Sequence, residues 1–354
     1  MRGIAERWQK KVSKLHEYAV VKDGNLFRAG LENSFLFQSE YQAALEMGDR
    51  LAGEYSGVPL DSVFSGRCEE TPCGESYCIE TYMEATPPAI DSGTLSESLL
   101  SRLTLIHGIG PAMERRLKGR GYRTIQDLLH HPLYRRAAAA ILHKIEAREA
   151  GSLEELTRER LPRSHPLVLK TSLVLEPEKL VFLDIETLGL FTRPVILIGI
   201  GRMERNGIRV AQYLIRDPSE EPAALWSFRR RLEGACDAFV TFNGRSFDIP
   251  YIMERLAYYG IQAGFMCPHY DLLQFSRRRW KGLLNDTRLR TLERKILGFE
   301  RRDDIPSQLV PEFYEMYLRT GNCGPLIPIV MHNREDIRSL FRLYSCLAGE
   351  DAWP

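Results

Sequence analysis

The stretch Leu180-Val181-Phe182-Leu183-Asp184-Ile185-Glu186-Thr187 is an apolar run that ends in two carboxylates. Its length and composition predict a buried strand. Residues two apart on a strand share a face, so Asp184 and Glu186 point to the same side. A carboxylate in a buried strand is costly unless positive charge offsets its lost hydration. Divalent cations do this, and clustered oxygen ligands suit magnesium or manganese. Two such ions on grouped carboxylates are a common apparatus for phosphodiester hydrolysis. Alone, the Asp-x-Glu pair reads equally as two solvated charges at a strand end.

Two later segments carry further acids. Asp248 follows Asn243-Gly244-Arg245-Ser246-Phe247, a strand end, a glycine turn and a helix start. It reads as a ligand or as a helix cap. His332 and Asp336 stand one helical turn apart and share a face. Ile337, Leu340, Phe341 and Tyr344 continue that helix as an inward stripe.

Around these segments the pattern predicts strands over 180–186, 194–204, 207–215, 237–242 and 265–271. Helices are expected over 220–234, 248–259 and onward to the C-terminus. Asn206-Gly207 suggests a tight antiparallel turn, and the later alternation of helix and strand suggests parallel additions. The expected fold class is α/β, a mixed sheet flanked by helices, over residues 167–349. Before it, residues 1–98 read as an α+β segment of open role, with a surface helix near 35–55 and a hairpin about Thr71-Pro72-Cys73-Gly74. Residues 86–98 and 151–166 have linker composition, and 99–150 look wholly helical.

Taken together, Leu183-Asp184-Ile185-Glu186-Thr187, then 242–252 (FNGRSFDIPYI), then 332–337 (HNREDI), resemble the DEDD exonucleases of the RNase H-like superfamily. The stretches 269–282 (HYDLLQFSRRRWKG) and 289–321 bring the likeness nearest to the YprB-type predicted exonucleases. The resemblance covers about 167–349. It implies an RNase H-like sheet and 3′→5′ exonuclease chemistry on nucleic acid, DNA ahead of RNA. It also implies two magnesium or manganese ions held by Asp184, Glu186, Asp248 and Asp336, with His332 as the base that assists water. His332 departs from the better-known patterns: it stands four residues before the last Asp, where those patterns place a tyrosine. An RNase H-like endonuclease and a non-catalytic DNA-structure binder are the rival readings. Asn243 is a candidate substrate contact or a brace for the turn, and Asp271 reads as a cap or supporting group. Arg277, Arg278, Arg279 and Lys281 are either a phosphate-steering face or a solvated one.

A second resemblance lies at 103–132 (LTLIHGIGPAMERRLKGRGYRTIQDLLHHP), which is similar to a helix-hairpin-helix DNA-binding module. Gly108 and Gly110 allow a tight turn and close approach of backbone to a ligand. The following helix N-terminus would face a phosphate, with Pro111 at its first position. Ala112 and Leu117 are expected to pack this helix. Arg115, Arg116 and Lys118 add charge. Residues 100–150 hold ten basic and four acidic residues, a local excess of +6.

Net charge is only +1 over 354 residues, so nucleic-acid affinity would come from such local patches rather than from the whole chain. The charged N-terminus lacks the apolar centre of a signal peptide, and no run has the length of a membrane span. Seven scattered cysteines do not form a disulfide framework, and Cys68, Cys73 and Cys78 lack paired metal-ligand spacing. Cys236, Cys267, Cys323 and Cys346 read as small core fillers. The reducing cytoplasm is the expected compartment.

Overall fold

A computed structural model describes residues 38–85, 92–147, 149–189, 192–265, 267–301 and 304–349. Seven strands are β1 (Arg67–Thr71), β2 (Gly74–Glu84), β3 (Leu180–Thr187), β4 (Val195–Glu204), β5 (Gly207–Leu214), β6 (Ala238–Thr241) and β7 (His269–Asp271). The longer helices are α1 (Gln38–Glu54), α2 (Ser92–Leu100), α3 (Pro111–Gly119), α4 (Arg135–Ala147), α5 (Ala150–Arg160), α6 (Glu221–Leu232), α7 (Asp248–Tyr258), α8 (Leu272–Arg279), α9 (Val310–Thr320) and α10 (Leu326–Ala348).

All seven strands form one mixed sheet in the order β1-β2-β5-β4-β3-β6-β7. β3, β4 and β5 make the expected antiparallel meander, and β6 and β7 add in parallel. The β4–β5 turn pairs Glu204 with Gly207, so its tip is Arg205-Asn206, one residue earlier than the Asn-Gly reading. The early hairpin forms as expected, with Thr71 opposite Gly74. Its place was not expected: β2 pairs with β5 from Tyr77 to Glu84 and so extends the main sheet. α1 packs Ala44 into the cluster that holds Phe313 and Tyr314 of α9. The described residues before 85 are therefore part of the sheet and its packing, rather than a free-standing unit.

β3 is apolar on both faces because both are covered. Val181, Leu183 and Ile185 join Phe228 of α6 and Ile252 of α7. Leu180 and Phe182 face the other way, toward Leu340, Phe341 and Tyr344 of α10. Phe182 meets Phe341 and Tyr344 edge-on at 5.8 and 5.7 Å. Strand alternation then puts Asp184 and Glu186 on the α10 side. α10 can lie close to the sheet because β4 presents Gly199 and Gly201. A Cβ on Gly199 would stand 2.1 Å from Asn333 Oδ1, and one on Gly201 2.5 Å from Ile337 Cγ2.

Two polar stretches depart from the linker expectation. Residues 92–98 lie in α2, while 86–91 fall outside the described residues. Residues 150–160 form α5, whose Leu153, Leu156 and Thr157 are buried at helical spacing beneath charged neighbours. The described residues of 99–150 form helices joined by turns, with 3-10 turns at Leu103–Leu105 and Asp127–His130. Its Leu103, Ile106, Ile109, Leu117 and Ile125 belong to the same apolar cluster as Phe182 and Tyr344, so its core is continuous with that of the sheet. Among the described residues, no helix is long and apolar enough to cross a membrane.

Candidate active site

β6 pairs with β3 only from Leu180 to Phe182. Beyond that point β3 has a free edge, because the chain leaves β6 through the turn at Asn243-Gly244. Asp248, the first residue of α7, fills the vacancy: its Oδ1 accepts the Ile185 N–H at 3.2 Å. The turn itself is held by Asp271, which accepts the N–H of Asn243 at 2.8 Å, of Arg245 at 3.3 Å and of Leu273 at 3.1 Å. Asp271 thus braces the turn and caps α8. Asn243 is exposed in a left-handed conformation, φ 65°. Its observed role is to make this turn, where the short polar side chain tolerates that backbone.

From the other face α10 brings Asn333 and Asp336. Asn333 Nδ2 donates to Asp184 Oδ2 at 2.8 Å and to Asp184 O at 3.0 Å. Ligand atoms of Glu186, His332 and Asp336 all lie within 4.8 Å of one another. Asp184 and Asp248 stand beside this trio. His332 is buried and bridges Asp304 and Ser307, with Nδ1 to Asp304 Oδ1 at 2.6 Å and Nε2 to Ser307 Oγ at 3.1 Å. Its Nε2 is 3.6 Å from Asp336 Oδ2. Arg301 pairs with Glu293 and Asp336 and lies 3.6 Å from Asp304.

The electrostatics follow from this crowding. Burial, then the charges of Asp336, Glu186 and Asp248, pushes the Asp184 carboxyl well above the usual carboxylate range. Burial, then Asp336 and Asp248, does the same to Glu186. Asp248 is pushed up to about 7, chiefly by burial. Asp304 behaves oppositely. Burial works against its charge, but the His332 hydrogen bond and the His332 and Arg301 charges hold it down at about 2. Burial alone would lower His332, yet Asp336 and Asp304 outweigh it and raise the imidazole above its ordinary range. Three carboxyls that resist ionisation beside two cationic groups form an oxygen-rich site short of positive charge. That donor set fits a hard divalent cation.

The structure therefore gathers Asp184, Glu186, Asp248, His332 and Asp336 from three distant segments. Arg301, Asp304, Ser307 and Asn333 complete the site and were not singled out from sequence, although all four lie in the stretches that carried the family likeness. In the hairpin segment Gly108 has φ +85° and Gly110 precedes α3, with Pro111 at its start. Leu117 is buried as expected, but Ala112 is exposed. Arg115 and Arg116 are exposed, and Lys118 pairs with Glu114 at 3.2 Å. Arg277 and Arg278 are also exposed. Cys236 and Cys267 are half-buried with sulfurs 3.4 Å apart, and Cys346 is exposed rather than a core filler.

Residues 181–348 match the model of the RNase_H superfamily. The chain is also 31% identical over 178 residues to "Uncharacterized protein YprB" of Bacillus subtilis (strain 168), covering 47% of this chain and 41% of that protein. The chain thus spans less than half the length of this relative. An RNase H-like domain suggests a nuclease that uses divalent metal. With this sheet order, residues 181–348 form an RNase H-like domain, in a chain similar to YprB.

Proposed function

We propose that the protein is a metal-dependent 3′→5′ exonuclease that hydrolyses phosphodiester bonds of nucleic acid, DNA or RNA, with DNA ahead of RNA. The observation that carries this reading is the convergence of Glu186, His332 and Asp336 within 4.8 Å, with Asp184 and Asp248 alongside and strongly desolvated. Two magnesium or manganese ions held by Asp184, Glu186, Asp248 and Asp336 would supply the charge that stabilises the pentacovalent phosphate. The protein's own groups have distinct tasks. Asn333 fixes the rotamer of Asp184. Asp248 is set by the Ile185 N–H. The Asp304 carboxylate only accepts, so His332 Nδ1 carries a proton; cations on Asp336 would offset the charge that raises the imidazole and so leave Nε2 to take a proton from an attacking water.

The hairpin at Gly108 and Gly110, with Arg115, Arg116 and Lys118, would grip backbone phosphates without reading bases. Asn243, exposed on the turn before Asp248, would meet the strand as it reaches the carboxylates. A reducing cytoplasm suits the free thiols.

The test is a panel of end-labelled DNA and RNA, single- and double-stranded, with magnesium or manganese and with chelator. The proposal expects mononucleotides released from the 3′ end, loss of activity in chelator, and no hydrolysis by Asp184→Asn despite a cooperative melting transition no lower than that of the wild type. Internal fragments would favour an RNase H-like endonuclease. No degradation of any substrate with either metal would favour a non-catalytic binder.

A further inference from the structure

A second charged site lies on the other side of the turn that delivers Asp248. Arg158, Arg163 and Arg245 line a small pocket with Glu154, His269 and Asp271. Both carboxylates there are committed: Glu154 accepts two bonds from Arg158, at 3.0 and 3.3 Å, and Asp271 accepts its three backbone N–H groups. Arg245 spends one terminal nitrogen on the His269 carbonyl at 2.6 Å. The Nε atoms of Arg158 and Arg245 are buried without a hydrogen-bond partner among the described residues. Arg163 is exposed and has no ion pair among the described residues. Three guanidinium groups thus face two occupied carboxylates, with donors left over.

The surroundings sharpen the preference for an anion. Burial, then the charges of Arg163 and Arg158, lowers the Arg245 guanidinium below its ordinary value. Burial, then Arg245 and Arg158, pushes His269 down to about 4, so its ring is neutral and offers no further positive charge. Its Nε2 is engaged by Thr241 Oγ1 at 2.8 Å. Guanidinium groups crowded in this way are relieved by a phosphate, whose oxygens match their planar donor forks.

Position links the pocket to both ends of the molecule's nucleic-acid machinery. Arg245 and Asp248 are three residues apart on one turn, no more than about 11 Å even if extended. At the other end, Arg160 of α5 contacts the hairpin residue His107, Nη1 to Nδ1 at 2.9 Å. Arg158 lies two residues before it, about 3 Å along the same helix. The two side chains leave α5 about 200° apart, so the helix presents one base at the hairpin turn and another at the pocket beside Arg245.

We propose that Arg158, Arg163 and Arg245 form a phosphodiester-binding subsite for the nucleic-acid strand between the hairpin and the catalytic carboxylates, an inference that rests on the nuclease reading for its substrate. The subsite grips the backbone and leaves bases unread.

The experiment measures binding of a fluorescent single-stranded DNA oligonucleotide to the full chain in chelator, where no cleavage occurs, across a salt series. Arg163→Gln, at an exposed position, is expected to lower the slope of log affinity against log salt by about 0.7, the value for one phosphate contact on a single strand. The loss should be equal for different sequences, and Arg163→Lys should restore most of the slope. Arg163→Glu should weaken binding further. A wild-type slope in Arg163→Gln and Arg163→Glu overturns the subsite. So does inorganic phosphate that stabilises the wild type but not Arg163→Gln while oligonucleotide affinity is unchanged, since the pocket would then hold only a free anion. Because binding is read without metal, absence of hydrolysis would sink the exonuclease reading without altering this result.

Discussion

Replacing Asp248 with asparagine should stabilise the metal-free protein while ending its activity. In the folded state burial pushes the Asp248 carboxyl up to about 7, against 3.8 for an unperturbed group. Below the ordinary carboxylate range both folded and unfolded chains hold the proton, and nothing is lost. As pH rises toward about 7 the unfolded chain releases its proton while the folded chain retains it, so folding stability falls. Above about 7 the deficit is complete, on the order of 4 kcal/mol for a shift of this size. An asparagine carries no charge to desolvate, and its amide oxygen can still accept the Ile185 N–H. In chelator at alkaline pH, Asp248→Asn should therefore melt higher than wild type, by roughly 8 °C at about 2 °C per kcal/mol for a large domain. The gap should close as pH falls through the carboxylate range, and His332 contributes alike to both proteins. Magnesium or manganese should narrow it as well, because cations stabilise the wild type more. Melting curves across pH, with and without metal, check this. A difference independent of pH, or an Asp248→Asn protein less stable than wild type at alkaline pH, would refute the claim that burial disfavours the charged Asp248 carboxylate.

Three other outcomes follow from the same geometry. His332→Ala should slow hydrolysis and flatten the acidic limb of the rate–pH profile; an unchanged profile removes the histidine from proton transfer. Gly199→Ala should cost about 1–3 kcal/mol in urea denaturation and reduce turnover, because the new methyl would stand 2.1 Å from Asn333 Oδ1 and push α10 off the sheet; wild-type values for both would contradict the close packing. Gly108→Val, at φ +85° in open space, should strain the hairpin by about 1–2 kcal/mol and weaken oligonucleotide binding most at low salt; equal binding would count against the hairpin as a phosphate grip.

The central strands and the acids on them were legible because their signals are local. Leu180–Leu183 announces a buried strand, and the two-residue spacing of Asp184 and Glu186 fixes their common face. His332 and Asp336 share a helix face by the same kind of reasoning. What escaped reading depends on contacts far apart in sequence. Nothing within Arg67–Glu84 says that its edge partner is β5, some 130 residues later. The hairpin was visible, but its docking was not. Residues 151–160 were misjudged by composition: the charged faces of Glu155, Glu159 and Arg160 hide the helical spacing of Leu153, Leu156 and Thr157.

Asp304 shows why a list of acids is an incomplete guide to such a site. In sequence it is one of two adjacent aspartates in a charged stretch, and nothing local separates it from a solvated pair. In the fold its oxygens meet His332 and Arg301, and it is held ionised at about 2 while Asp184, Glu186 and Asp248 are driven upward. The same residue type thus plays two opposed parts within one site. Carboxylates that already have cationic partners orient their neighbours, while those left without partners demand a cation from outside. Arg301 divides the two groups, since it pairs with Glu293 and Asp304 on one side and reaches Asp336 on the other. Asp336 is therefore the carboxylate shared between the protein's own counter-charge and an incoming ion. Removing the Arg301 charge should leave Asp336 with only His332 and metal as counter-charge, whereas removing Asp304 should release His332 and take away one of the charges that raise Glu186.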